Sequence, residues 1–130
     1  MLTLDDRGLI RWCGEVGTGV ITYGPLAFGV LAGAVSHGAT FPPGDWRGDA
    51  KDGPFADLDR SLSIVDRLRP IADRLGITLG QLALAWNVAQ PGVTAAIAGS
   101  RNPEHVRENA ATGDVQIDDE TLAEIDQLLS

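Results

Sequence analysis

Glycine, serine and arginine stand together at Gly99-Ser100-Arg101, directly after a short apolar run, Thr94 to Ile97, and directly before Asn102-Pro103. Asparagine is a strong N-cap and proline is favoured at the first helical position, so a helix opens there. A strand that turns through Gly-Ser into a helix N-terminus is a place for an anion. Free amide N–H groups and the positive end of the helix dipole both point at it. Arg101 adds a fixed cation at the same spot. These residues read as the phosphate and adenine end of a nucleotide site. The plainer reading is a capped helix with a surface arginine.

Other residues with chemistry to offer are weaker candidates. Tyr23 ends the run Val20-Ile21-Thr22-Tyr23, and on pattern its ring fills the core. Gly14, Gly17 and Gly19 do not make a dinucleotide loop. They precede a strand instead of following one, and their order is wrong. Trp46 and Arg47 lie in a connection rich in Gly, Pro and Asp. They are either a lid or a solvated loop tip, and the loop tip is the expectation. Asp118-Asp119-Glu120 is most simply a helix start, with no metal implied. Cys13 falls on an apolar helix face and is expected to be inert core. Trp86 sits in a buried helix and is expected to pack.

The elements that must position these groups follow from periodicity. Asp5 to Val16 predicts a helix whose apolar face is Leu9, Trp12, Cys13 and Val16. Val20–Tyr23 predicts a buried strand, ended by Gly24-Pro25. Pro25 to Gly33 reads as a loop with a turn of helix. Ala34 to Asp57 is a long connection, and long connections in compact domains are usually functional or mobile. Leu58 to Leu75 predicts the longest helix, with Pro70 expected to kink or divide it. Thr78-x-x-Gln81 is a capping box opening a helix from Leu79 to Gln90. After the Thr94–Ile97 strand and the helix at Pro103 comes a last amphipathic helix carrying Leu122, Ile125, Leu128 and Leu129. Widely spaced strands alternating with helices predict an α/β fold of about two parallel strands with four to five helices on one side.

Composition narrows the class. The chain has 130 residues, 44% of them hydrophobic, enough for one domain with a real core. Its formal net charge of -8 argues against a nucleic-acid surface. The single cysteine cannot form an intrachain disulfide and fits a reducing compartment. With no signal-like start and no long apolar span, a cytoplasmic protein with no membrane contact is expected.

Three stretches then carry a family resemblance. GVITYGPLAFGVLAG, DWRG and LGITLGQLALAWNVAQPGVTAAIAGSRNPEHVRENAA, in that order, resemble the C-terminal part of aldo-keto reductases. The resemblance runs from about Leu9 to Leu129 and is thinnest over residues 34–57. It implies a partial (β/α)8 barrel, with Val20–Tyr23 and Thr94–Ile97 as its seventh and eighth strands. It implies NADP(H) as cofactor, with Tyr23 stacked on the nicotinamide. Gly24, Pro25, Leu26 and Ala27 would follow the pyrophosphate. Gly99, Ser100, Arg101 and His105 would meet the 2′-phosphate and adenine. Glu108 and Asn109 would bond the adenine amino group.

The sequence departs from the family pattern at several points. Gly24 stands for a common serine and Ala98 for a common proline, and Glu104 and Glu108 bring negative charge near a phosphate site. Members of the family reduce carbonyls with an Asp, Tyr, Lys and His from the first half of the barrel. Here the only tyrosine is Tyr23 and the only lysine Lys51, so no Tyr–Lys proton relay can be assembled. A whole barrel also needs about 250 residues. The expectation is the NADP-binding portion of an NADP(H)-dependent oxidoreductase of aldehydes or ketones, without a catalytic tetrad of its own. It would pair with a missing N-terminal half, as in a split enzyme, or self-associate through unpaired strand edges. The alternative is a non-catalytic nucleotide-binding or protein-interaction remnant.

Overall fold

The computed structural model describes residues 4–129, with helix α1 at Leu4–Glu15 and strand β1 at Val20–Tyr23. Helix α2 (Leu58–Leu75), α3 (Leu79–Ala89), strand β2 (Val93–Ile97), α4 (Pro103–Ala111) and α5 (Asp119–Leu129) follow. The two strands pair in parallel, joined by the long crossover that holds α2 and α3. Residues 34–57 contain only a short 3-10 turn at Gly53–Phe55.

The pairing carries one irregularity, between Val20 and Ile21. Val20 lies opposite Val93 and Ile21 opposite Ala95, so Thr94 has no partner residue. Its hydroxyl accepts from the Val20 amide at 3.1 Å, which supplies the missing ladder bond.

The core forms on one side of this sheet. Apolar residues at helical spacing put Leu62, Val65, Leu68, Ile71 and Ala72 of α2 on its buried face. Leu68, Ile71 and Ala72 pack with Leu82 and Trp86 of α3 and Ile125 of α5. Asp57 caps α2 by accepting from the Arg60 amide, and Gly76 ends it in a left-handed conformation. Pro70 does not divide α2, which runs unbroken through it. The bond it deletes would have reached the Asp66 carbonyl. Both residues are exposed, so the missing donor leaves no polar group shut away from solvent. The capping box of α3 is complete in both directions, through Thr78 and Gln81.

The face predicted for α1 is not covered. Leu9, Trp12 and Val16 are all more than half exposed, and Cys13 is half-buried. From residue 8 to the end of α1 only Ile10 is buried, and it seats against Gly92, where an added Cβ would come within 2.9 Å of the Ile10 side chain and carbonyl. Gly92 also holds φ of 93°, so two constraints demand glycine there. Among the described residues nothing packs on the other sheet face either. Ile21, Tyr23 and Ile97 share that face and are exposed.

Candidate functional site

A cleft of about 500 Å³ opens at the C-terminal ends of both strands. One wall comes from the segment after β1: Tyr23, Gly24, Pro25 and Leu26. The other comes from the segment after β2: Gly99, Ser100, His105, Glu108 and Asn109. Parallel pairing puts both strand ends on the same side, which is where open α/β sheets place ligands. Tyr23 is 80% exposed, so its ring is not core filling as strand pattern suggested. The ring stands free at one end of the cleft.

Two named residues are not on the wall. Ala27 is buried beneath it, in a turn closed by its own amide to the Gly24 carbonyl at 2.9 Å. Arg101 is exposed on the turn before α4 and directs no atom into the lining. The turn itself is constrained. Gly24 holds φ of 66°, and Ala27 and Phe28 hold 49° and 54°. Consecutive left-handed residues with side chains are costly and persist only where surrounding structure fixes them.

The α4 N-terminus differs from a free anion cradle. Asn102 caps it as predicted, accepting from the Glu104 amide at 2.9 Å. The Asn102 amide in turn donates to the Ser100 hydroxyl at 3.1 Å, and Pro103 has no N–H. The amides expected to face an anion are therefore largely used inside the cap. His105 is the basic group on the wall, and Arg101 lies on the turn before α4.

Glu108 is held by its neighbour helix. Its carboxylate accepts from the Thr78 hydroxyl at 2.5 Å, and its carbonyl accepts from Gln81 Nε2 at 3.3 Å. The capping box of α3 thus also holds α4. Sequence reasoning missed Phe28 and Gly80 on the wall. Gly80 was findable as the small residue inside the capping box. A left-handed phenylalanine has no sequence signal.

The loop at the rim is partly ordered by aromatic contacts, though Trp46 stays 55% exposed. Phe28 meets Trp46 edge-on at 5.1 Å, Trp46 meets Phe55 at 5.4 Å and Phe55 meets Phe41 at 5.6 Å. Arg47 lies 4.6 Å over the Phe41 ring and pairs with Asp45 through Nε and Nη2. That guanidinium, with its backbone amide, holds the Asp45 carboxyl well below the usual range, to about 2. Among the described residues no acidic or His/Cys group is arranged for a metal, and no helix is long and apolar enough to cross a membrane.

The model of the aldo/keto reductase family matches residues 1–130. An NADP(+) aldo-keto reductase of Schizosaccharomyces pombe is 33% identical over 120 residues, covering 92% of this chain and 35% of that protein. A protein of Arabidopsis thaliana, named a probable voltage-gated potassium channel subunit beta, is 39% identical over 105 residues. That match covers 76% of this chain and 31% of that protein. Among solved structures, a glycerol dehydrogenase from Gluconobacter oxydans superposes with a TM-score of 0.80 at 24% identity. It covers 92% of this chain and 36% of that one, a likeness of fold to part of a barrel. The chain spans about a third of the length of the curated relatives it matches.

Proposed function

This chain belongs to the aldo/keto reductase family, and on that premise we propose that it is the NADP(H)-binding portion of an oxidoreductase acting on aldehydes or ketones. One observation carries the reading. Residues from two distant segments, Tyr23 to Leu26 and Gly99 to Asn109, converge on a single cleft at the strand ends. A bound nicotinamide would supply the hydride. The protein's part is to stack that ring on Tyr23, guide the pyrophosphate along Gly24–Leu26, and hold adenine between Glu108 and Asn109. Ser100, Arg101 and His105 would meet the 2′-phosphate, Arg101 by swinging its exposed guanidinium inward.

The proton that a reduced carbonyl oxygen needs has no donor pair in these 130 residues, whose only Tyr and Lys are Tyr23 and Lys51. Catalysis therefore depends on a companion portion of barrel, seated on the bare face of Ile21, Tyr23 and Ile97. Self-association through the same face is the other way to cover it. All 130 residues act as one unit in this reading, in the cytoplasm. Titration of NADPH into the purified chain, followed by nicotinamide fluorescence, tests it. Saturable binding weakened several-fold by Arg101→Ala is the expected result, with no turnover by this chain without its companion. Absence of binding at millimolar NADPH would overturn it.

A second reading has its own support. One relative is named a subunit of a channel, and by that analogy this chain would serve to bind a protein partner, not to catalyse. Restored turnover on adding a barrel portion that carries the missing Tyr and Lys would decide against that reading.

A further inference from the structure

The capping box that opens α3 also reaches into α4. The Thr78 hydroxyl oxygen accepts from the Gln81 amide at 3.1 Å. Its single proton goes to Glu108, whose Oε1 accepts it at 2.5 Å. An ionised carboxylate only accepts, so the direction of this bond is fixed. The Gln81 side chain completes the tie. Its Oε1 accepts from the Thr78 amide at 3.1 Å, and its Nε2 donates to the Glu108 carbonyl at 3.3 Å. Backbone and carboxylate of Glu108 are thus both held from the α3 N-terminus. Glu108 lines the cleft at the strand ends, whereas Thr78 does not.

The hold is one-sided. Oε1 is taken, and among the described residues no donor reaches Oε2. Gly80, on the same wall, puts no side chain over the carboxylate, and a Cβ there would lie 3.9 Å from Oε1. Among the described residues Glu108 is the only acid lining the cleft. A base that meets Oε2 must therefore bring a donor. A purine with a 6-amino group does so, and a purine with a 6-oxo group brings a second acceptor and is repelled. Asn109, also on the wall, can turn either end of its amide to a base and tolerates both. A free glutamate would escape a 6-oxo group by rotating its side chain, and a held one cannot. We propose that Thr78 is a positioning residue for base selection: by holding Glu108 Oε1 it presents Oε2 to a 6-aminopurine and rejects a 6-oxopurine. This role rests on the reading of the cleft as a dinucleotide site. It adds which group chooses the base and what orients that group.

NADPH and its reduced hypoxanthine counterpart, which carries a 6-oxo group in place of the amino group, test the assignment. Each is titrated into the full chain, and nicotinamide fluorescence gives both affinities. The unmutated chain should prefer NADPH about tenfold or more, the factor a hydrogen bond to a charged group supplies. Thr78→Val keeps the side-chain shape and removes the hydroxyl. It should cut that preference roughly threefold or more, with NADPH weakened while the hypoxanthine dinucleotide holds or tightens. Thr78→Ser should keep the full preference. Glu108→Ala should erase it, and adding Thr78→Val to that variant should change the ratio no further. A helix merely loosened at its cap weakens both dinucleotides alike, so an unchanged ratio in Thr78→Val overturns the proposal. Equal binding of the two by the unmutated chain overturns it as well. Binding of neither at millimolar concentration is a different failure, which removes the dinucleotide reading and the role of Thr78 together.

Discussion

The two faces of the sheet are built from the same kinds of residue and have opposite fates. Towards the helices, Thr22 is buried against Asn87, and Leu82 and Trp86 close the layer with Ile71 and Ile125. Towards the other side, Ile21, Tyr23 and Ile97 stand exposed. Both faces alternate as a strand should. The difference is in what the chain supplies to cover them, and the candidate chemistry sits at the edge of the uncovered face. The core is thus drawn from one side of the strand pair.

The largest expected effect separates the faces by mutation. Ile71 is 1% exposed in the centre of the helix-side core, and Ile71→Ala should cost about 2 to 5 kcal/mol by the usual transfer and cavity terms. Ile21→Ala, at 62% exposure, should change stability by no more than about 0.5 kcal/mol. Urea unfolding at two protein concentrations reads both. If Ile21→Ala matches Ile71→Ala, and more so at high concentration, the bare face is buried between copies and the contrast collapses into an interface.

A middle effect tests how the core side reaches the cleft. Thr78→Ala removes the N-cap of α3 and should cost about 1 kcal/mol. The same change frees the Glu108 carboxylate, now bonded to the Thr78 hydroxyl. Hydrogen exchange should therefore quicken in α4 as well as in the first turn of α3. Thr78→Ser should restore both. Faster exchange confined to α3 would show that α4 is positioned without Glu108.

What could be read from the residues divides along the same line. Both strands, the α2 ends, the α3 capping box and the Asn102 cap follow from local pattern, because each rests on side chains a few positions apart. The (β/α)8 piece and the family follow from motifs that stay in order over most of the chain. The burial of the α1 face did not follow. Periodicity shows that Leu9, Trp12 and Val16 form a stripe, but not what lies against it. Strand pattern taken alone put the Tyr23 ring in the core for the same reason. The free amides expected at α4 were lost to a bond no spacing announces, from the Asn102 amide to the Ser100 hydroxyl. The rim loop looked solvated because its aromatic contacts join Phe28 to Phe41, Trp46 and Phe55 across intervening glycines and prolines.

The smallest expected effect lies in that rim loop, at the boundary between the covered and bare regions. Asp45 accepts from Arg47 Nε at 3.0 Å, from Nη2 at 2.6 Å and from the Arg47 amide at 3.0 Å. These bonds favour the charged carboxylate and lower its folded pKa to about 2. A depressed folded pKa adds stability above the unfolded aspartate value, roughly 3.9, and that contribution fades as pH falls through about 2. The loop should therefore hold its packing at neutral pH and release it only in that acid window. Carboxyl-carbon NMR should find the Asp45 midpoint near 2, and Asp45→Asn should remove this part of the acid dependence while leaving the helix-side core intact. The effect on global stability is small, since the pair lies near solvent and surface ion pairs contribute little. A midpoint at the ordinary aspartate value would mean that Arg47 is not held. The rim would then belong with the bare face as a loop open to solvent.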